Sequence, residues 1–200
     1  MISVYIKVDY CEVRDLKIGR IVMDIYVKIA NESDFFIIKN FIPLFRHYIG
    51  EVYDELPNEY GVFAYDDSKT LQEMCDKRES WIKNPETKFP IIIYAFNRPV
   101  GYMFVSKVYS DVFEGNSYFL EALFLVKSVR RKGIGSLVVK QVFDKFKGKW
   151  ELNTSASERN LETQSFWRKV LNEYRCGKYK EFAAKTEDGS EKIIFRFDSI

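Results

Sequence analysis

The chain has a single histidine, three cysteines and five prolines in 200 residues, and its 31 cations nearly cancel 29 anions. Each shortage excludes something. A formal net charge of +2 creates no global field to recruit nucleic acid or a membrane surface, so any basic patch must be local. The cysteines, Cys11, Cys75 and Cys176, are odd in number and far apart. They fit free thiols in a reducing cytoplasm and argue against a disulfide framework and a zinc site. No apolar run approaches the roughly 20 residues of a membrane span. The start, MISVYIKVDYCEVR, lacks the basic-then-apolar order of a signal peptide. Without a repeat, low-complexity tract or Pro/Gly/Ser linker, no domain boundary is visible. The chain also has no Walker lysine–hydroxyl pair, G-x-G-x-x-G, HExxH or G-x-S-x-G, which argues against NTPase, Rossmann, zincin and serine-hydrolase chemistry.

What is present is enough apolar material, 46% of the residues, for one sizeable core. MDIYVKIA (23–30) alternates like a strand, and a long helix should follow from Asp34 to Leu56, kinked or divided by Pro43. A second helix is expected from Ser68 to about Lys83. KFPIIIYAFN and VGYMFVSKVY read as a hairpin turning at Asn97-Arg98-Pro99. Next come a strand over 118–126, a helix, a strand at WELNTS, a helix over NLETQSFWRKVLNEY, and a two-stranded tail around an Asp-Gly turn. One domain is expected over 23–200, preceded by an extension, residues 1–22, that reads as an edge strand, a dimer arm or a leader.

The motif that carries chemistry is VRRKGIG, Val129 to Gly135, between the apolar strand YFLEALFLV and the amphipathic SLVVKQVFDKF. A helix N-terminus presents unpaired N–H groups and about half a positive charge, so it attracts anions. Gly133 and Gly135 let a phosphate approach the backbone, and Arg130, Arg131 and Lys132 add positive charge. On its own the pattern also reads as a basic helix cap with a glycine turn.

The run LFLVKSVRRKGIGSLVVKQVF resembles, without a gap, the strand, R-x-x-G-x-G and helix of the GNAT superfamily of N-acetyltransferases. Asn160, Thr163, Phe166 and Trp167 stand where that family has N-x-x-A-x-x-[FL]-Y, and FWRKV (166–170) with PLFRH (43–47) is similar to a bacterial branch. The resemblance implies an α/β (α+β) fold: a mixed, twisted sheet of six to seven strands with a splayed central parallel pair and about four flanking helices. It implies acetyl-CoA as co-substrate, no metal, and transfer to a primary amine, a small molecule sooner than a protein. The cofactor would meet Leu123, Phe124 and Leu125 on the strand, then Arg130, Arg131, Lys132, Gly133, Ile134, Gly135 and Ser136 at the turn, with Asn160 and Trp167 alongside.

An ammonium acceptor needs a base, and three residues qualify in order: Glu121, Glu151 and His47, the last oriented by Glu51 at i+4. Each also has an ordinary structural reading, as Asn160 does as an N-cap. The family's thiolate-protonating Tyr is Trp167 here, and an indole N–H is no general acid. Tyr174, water or the departing proton would have to serve. Otherwise the chain is a silent acyl-CoA-binding module acting as a sensor or interaction protein. Expected partners are a small amine and, as a homodimer, a second copy, with no nucleic acid and no membrane.

Overall fold

A computed structural model describes residues 24–110, 113–186 and 189–200. The extension 1–22 therefore lies outside the described residues. Seven strands form one sheet: β1 Ile25–Ile29, β2 Lys88–Ala95, β3 Arg98–Ser110, β4 Phe113–Leu125, β5 Lys149–Ser155, β6 Lys180–Lys185 and β7 Glu191–Asp198, in the order β1-β2-β3-β4-β5-β7-β6. Every neighbouring pair is antiparallel except β4 and β5, which run parallel. A parallel pair needs a crossover, and the helix between these strands, over Ile134–Lys145, supplies it.

The helices are α1 Phe35–Tyr53, α2 Leu71–Asp76, α3 Ser80–Lys83, α4 Ile134–Lys145 and α5 Leu161–Arg175. Because strand side chains alternate between faces, the sheet feeds two cores. On one face Leu120, Trp150, Leu152 and Phe195 pack with Val138, Val142 and Phe143 of α4 and Trp167 and Val170 of α5. On the other, Tyr102, Phe104 and Phe124 pack with Ile38, Phe41 and Ile42 of α1, Met74 of α2 and Trp81 of α3. Trp81 lies flat on Phe104, with ring centroids 4.1 Å apart. Among the described residues no helix is long and apolar enough to cross a membrane.

Three local expectations are corrected. Pro43 does not divide α1, which runs unbroken from Phe35 to Tyr53. The carbonyl of Lys39, which a residue-43 N–H would have capped, accepts instead from the Cys75 thiol on α2 at 3.4 Å. The expected helix over 68–83 is two short ones. Thr70 caps α2 by accepting from the Glu73 N–H. After Cys75 the bonds tighten, with Arg78 N–H donating to the Cys75 carbonyl and Glu79 N–H to that of Asp76, the three-residue spacing of a 3-10 turn. The β2–β3 turn falls one residue earlier than expected, at Phe96 and Asn97. Both adopt positive φ, 55° and 56°, as a two-residue type I′ turn requires, and Pro99 belongs to β3 opposite Tyr94.

β3 and β4 leave no room for a side chain at Gly101, which pairs with Leu125. A Cβ there would stand 2.0 Å from the Phe124 carbonyl oxygen. That contact is with backbone and cannot yield by a rotamer change. Gly101→Ala is therefore expected to destabilise the chain by about 2 kcal/mol or more, read as a lower urea midpoint. Wild-type stability in that variant would show that β4 has room to move.

Candidate active site

β4 and β5 are in register only from Ser117↔Lys149 to Leu120↔Leu152. The cause is on the β3 side. Phe104 pairs with Ala122 and Val105 with Leu120, so Glu121 is an extra residue in the ladder. A bulge of this kind bends its strand, and β4 leaves β5 at that point while staying paired to β3 as far as Leu125.

Partners across an antiparallel ladder alternate between bonded and non-bonded pairs. The Val126 N–H donates to the Val100 carbonyl at 2.9 Å, which fixes the phase. Phe124 then faces Tyr102, whereas Leu123 and Leu125 turn their backbone groups away from β3, into the gap beside β5. The three consecutive residues expected along the gap thus reduce to two, and the Phe124 side chain belongs to the α1-side core.

The glycine turn closes the gap at the C-terminal end of β4. Gly133 caps α4 with φ 79°, a left-handed conformation that favours glycine. The first helical bond runs from Leu137 N–H to the Gly133 carbonyl, so the N–H groups of Ile134, Gly135 and Ser136 precede the ladder and carry the helix's positive end. At Gly135 a Cβ would meet Phe166 at 3.3 Å and Leu125 at 3.4 Å, so α4 begins pressed against α5 and β4. The three cations differ in disposition. Arg130 braces the gap: its Nε donates to the Leu125 carbonyl at 2.7 Å, and its guanidinium lies 4.0 Å over the Tyr48 ring of α1. Arg131 pairs with Glu162 at the start of α5, and both Arg131 and Lys132 are exposed.

Asn160 stands at the N-cap position of α5 but makes no side-chain cap. It is buried, and its Nδ2 donates to Thr154 Oγ1 at 2.6 Å and to the Ser155 carbonyl at 3.1 Å. Gln164, which the motif comparison passed over in favour of Thr163, is more buried still. Its Nε2 donates to the carbonyls of Ser155 and Ser157. Together the two amides fix the end of β5 against α5 and so hold one wall of the gap. A glutamine one turn past an asparagine at the N-cap position was the available signal.

Trp167 is buried in the α4–α5 core, edge-on to Phe166. Tyr174 lies two turns further along α5, about 10 Å away at helical rise. Its hydroxyl donates to Asp144 at 2.9 Å, and its ring packs on Phe143 and Phe197. Burial and the Asp144 carboxylate push its pKa well above a tyrosine's ordinary value, so it is in use elsewhere.

Trp150 and Leu152 point to the α4–α5 core, so alternation carries Glu151 to the side on which α1 lies. At Glu121 the alternation lapses, with Leu120 in the α4–α5 core and Ala122 packed against the α1-side core. Glu121 is exposed at the bulge. Glu151 is half-buried and accepts from Arg196 Nε, its cross-strand neighbour on β7, at 2.6 Å. His47, on α1, is 58% exposed, with Nδ1 3.8 Å from Glu51 and its ring edge-on to Phe63. Among the described residues no group of three or more His, Cys, Asp or Glu is placed to hold a metal ion.

A parallel pair that opens beside a bulge, with a glycine-capped helix at the open end, offers a strand-shaped berth ending in an anion site. That is the architecture of an acyl-coenzyme A-dependent acyltransferase. The chain belongs to the acetyltransferase (GNAT) family, whose model matches residues 49–172, more than half of its length. Solved structures share the fold at low identity. A GNAT-family protein from Desulfovibrio desulfuricans is 14% identical with TM-score 0.56, over 89% of this chain and 99% of its own. An aminoglycoside acetyltransferase in complex with coenzyme A and kanamycin is 16% identical with TM-score 0.57, over 85% and 93%. Spermidine N-acetyltransferase from Vibrio cholerae, in complex with coenzyme A and spermine, is 10% identical with TM-score 0.58, over 88% and 95%. No curated protein matches the sequence.

If the turn holds a pyrophosphate, a carboxylate there should expel it. Gly133→Asp is expected to weaken coenzyme A binding by at least about tenfold, or 1.4 kcal/mol, with the circular dichroism spectrum unchanged. Calorimetry with coenzyme A provides the measurement, and undiminished affinity would remove the turn from the binding site.

Proposed function

We propose that the chain transfers an acetyl group from acetyl-CoA directly to a primary amine of a small molecule. The observation that carries this reading is the end of the β4–β5 pairing at Leu120 and Leu152, which leaves the backbone groups of Leu123 and Leu125 directed into the gap. Acetyl-CoA would lie along that edge with its pyrophosphate on the N–H groups of Ile134, Gly135 and Ser136. Asn160 and Gln164 would hold the opposite wall, and Trp167 would pack behind it.

The acceptor's ammonium first gives a proton to a base. The freed nitrogen lone pair attacks the thioester carbonyl carbon, and the carbonyl electron pair moves to oxygen. The Leu123 N–H would donate to that oxyanion, an interaction that strengthens as charge develops. As the carbonyl re-forms, the C–S bond breaks, the amine loses its second proton, and the departing thiolate takes one up. Glu121 is the base of choice, because it is exposed at the bulge, two residues before Leu123. Glu151 is committed to Arg196, which ties its oxygen, and His47 stands exposed on α1. Trp167 cannot protonate sulfur, so the proton shed by the amine is the natural source. A small amine is favoured because proteins of this fold were solved with kanamycin and spermine bound.

A second reading, a module that binds acyl-CoA without turnover, is motivated by Trp167 at the acid position and by Tyr174 being held at Asp144. Acetyl-CoA consumption across a panel of small amines and lysine peptides separates the two, and no turnover with any of them would favour the silent module. With an acceptor in hand, Glu121→Gln should lower kcat by roughly 10²- to 10⁴-fold, the range for loss of a general base. Glu151→Gln should act chiefly on KM. A wild-type kcat for Glu121→Gln would disqualify it as the base.

A further inference from the structure

β1 stands at one end of the sheet, and among the described residues no strand lies beyond it. The Ala30 N–H donates to the Pro90 carbonyl at 2.8 Å. Alternation along an antiparallel ladder then turns the backbone groups of Tyr26 and Lys28 toward β2 and those of Ile25, Val27 and Ile29 outward. An apolar strand at a sheet edge is a template for another strand, and proteins guard such edges with charge or proline. The opposite edge is guarded. β6 reads KEFAAK, with Lys180, Glu181 and Lys185 spread along it. β1 reads IYVKI. Its one charge, Lys28, is taken up by Asp34 at 2.8 Å, and Ile29 is 40% exposed.

The two rows of β1 side chains have different surroundings. Ile25 and Val27 belong to the α4–α5 core. On the other face Tyr26 lies flat on Tyr94, with ring centroids 4.8 Å apart, and Lys28 reaches Asp34 just ahead of α1. A strand added beyond β1 must therefore be apolar at alternate positions and polar between them. The chain has such a run close by. VYIKV, residues 4–8, has the pattern of β1 itself, with Tyr and Lys at the same places and Val and Ile exchanged. Ile2 extends its apolar row, and residues 9–24 link it to Ile25.

We propose that residues 4–8 pair antiparallel with the outward edge of β1, with Ile6 opposite Val27. Val4, Ile6 and Val8 then continue the apolar row of Ile29, Val27 and Ile25. This direction sets Tyr5 beside Lys28 and Lys7 beside Tyr26. A parallel strand in the same register would set Lys7 against Lys28, and like charges directly opposite are destabilising. The occupant is the chain's own segment and not the β1 of a second copy. A tethered segment has an effective concentration of order millimolar at the edge, which a second copy in dilute solution does not match. β1 is three strands from the transfer gap, so this surface is separate from the site of the chemistry.

The test is hydrogen exchange of the full chain, read amide by amide by nuclear magnetic resonance. The outward N–H groups of Val27 and Ile29 are expected to exchange at least about a hundredfold more slowly than in a free peptide. Ile6→Pro removes the central donor of the added strand. In that variant the protection of Val27 and Ile29 should fall by at least about tenfold, while the Tyr26 and Lys28 amides, bonded to β2, keep theirs and report an intact fold. Free-peptide exchange at Val27 and Ile29 in the wild type, or protection there that Ile6→Pro leaves unchanged, would overturn the pairing. Protection that fades on dilution, as light scattering follows a dimer becoming a monomer, would also overturn it by giving the edge to a second copy.

Discussion

One surplus residue organises this protein. Glu121 has no counterpart on β3, and the strand that contains it is bent away from β5 just where parallel pairing would otherwise continue. Without that surplus, Leu123 and Leu125 would spend their outward backbone groups on β5, and the sheet would be closed. With it, a sheet of seven strands carries an interior edge. Unpaired edges usually invite association with another strand. Here the edge is enclosed between helices α4 and α5 on one face and α1 on the other, so only a narrow, extended molecule is admitted.

The elements around the gap maintain the opening more than they provide chemistry. Gly101 lets β3 follow β4 closely through the bend. Arg130 bridges the Leu125 carbonyl to Tyr48, while Asn160 and Gln164 bind the end of β5 to α5. These contacts involve buried or half-buried polar groups, whose loss costs more than their formation gains. The gap is thus held from both sides by groups that have no cheaper arrangement.

Much of this was legible in the sequence because it is local. The order of strand, basic glycine turn and amphipathic helix occupies one continuous run, and the alternation of Trp150, Leu152 and Thr154 marks β5 and its faces. The parallel pair followed from the helix between the two strands. Three features were not legible, each for a physical reason. The bulge at Glu121 depends on the register of β3 against β4, which no single strand encodes. Pro43 reads as a helix breaker until the Cys75 thiol, 32 residues away in sequence, is found at the Lys39 carbonyl. Arg46 looks like any cation on a helix. Only Tyr65, Met74 and Arg78, brought in from later segments, make it a buried one. Of the candidate bases, the pattern located Glu121 and Glu151 on the two strands of the parallel pair, but only β7 could reveal that Arg196 holds Glu151.

The contact between Cys75 and Lys39 also bears on chemical reactivity. Burial pushes the Cys75 thiol's pKa above its ordinary value, so the sulfur keeps the proton it donates to the carbonyl left over by Pro43. Alkylation and oxidation proceed through the thiolate, and the same hydrogen bond that repairs the helix therefore keeps this sulfur inert. Cys176, exposed at the C-terminal end of α5, has no such protection. Between these two cysteines a thiol reagent meets one reactive group at the rim of the last helix, and the sulfur that secures α2 to α1 is passed over.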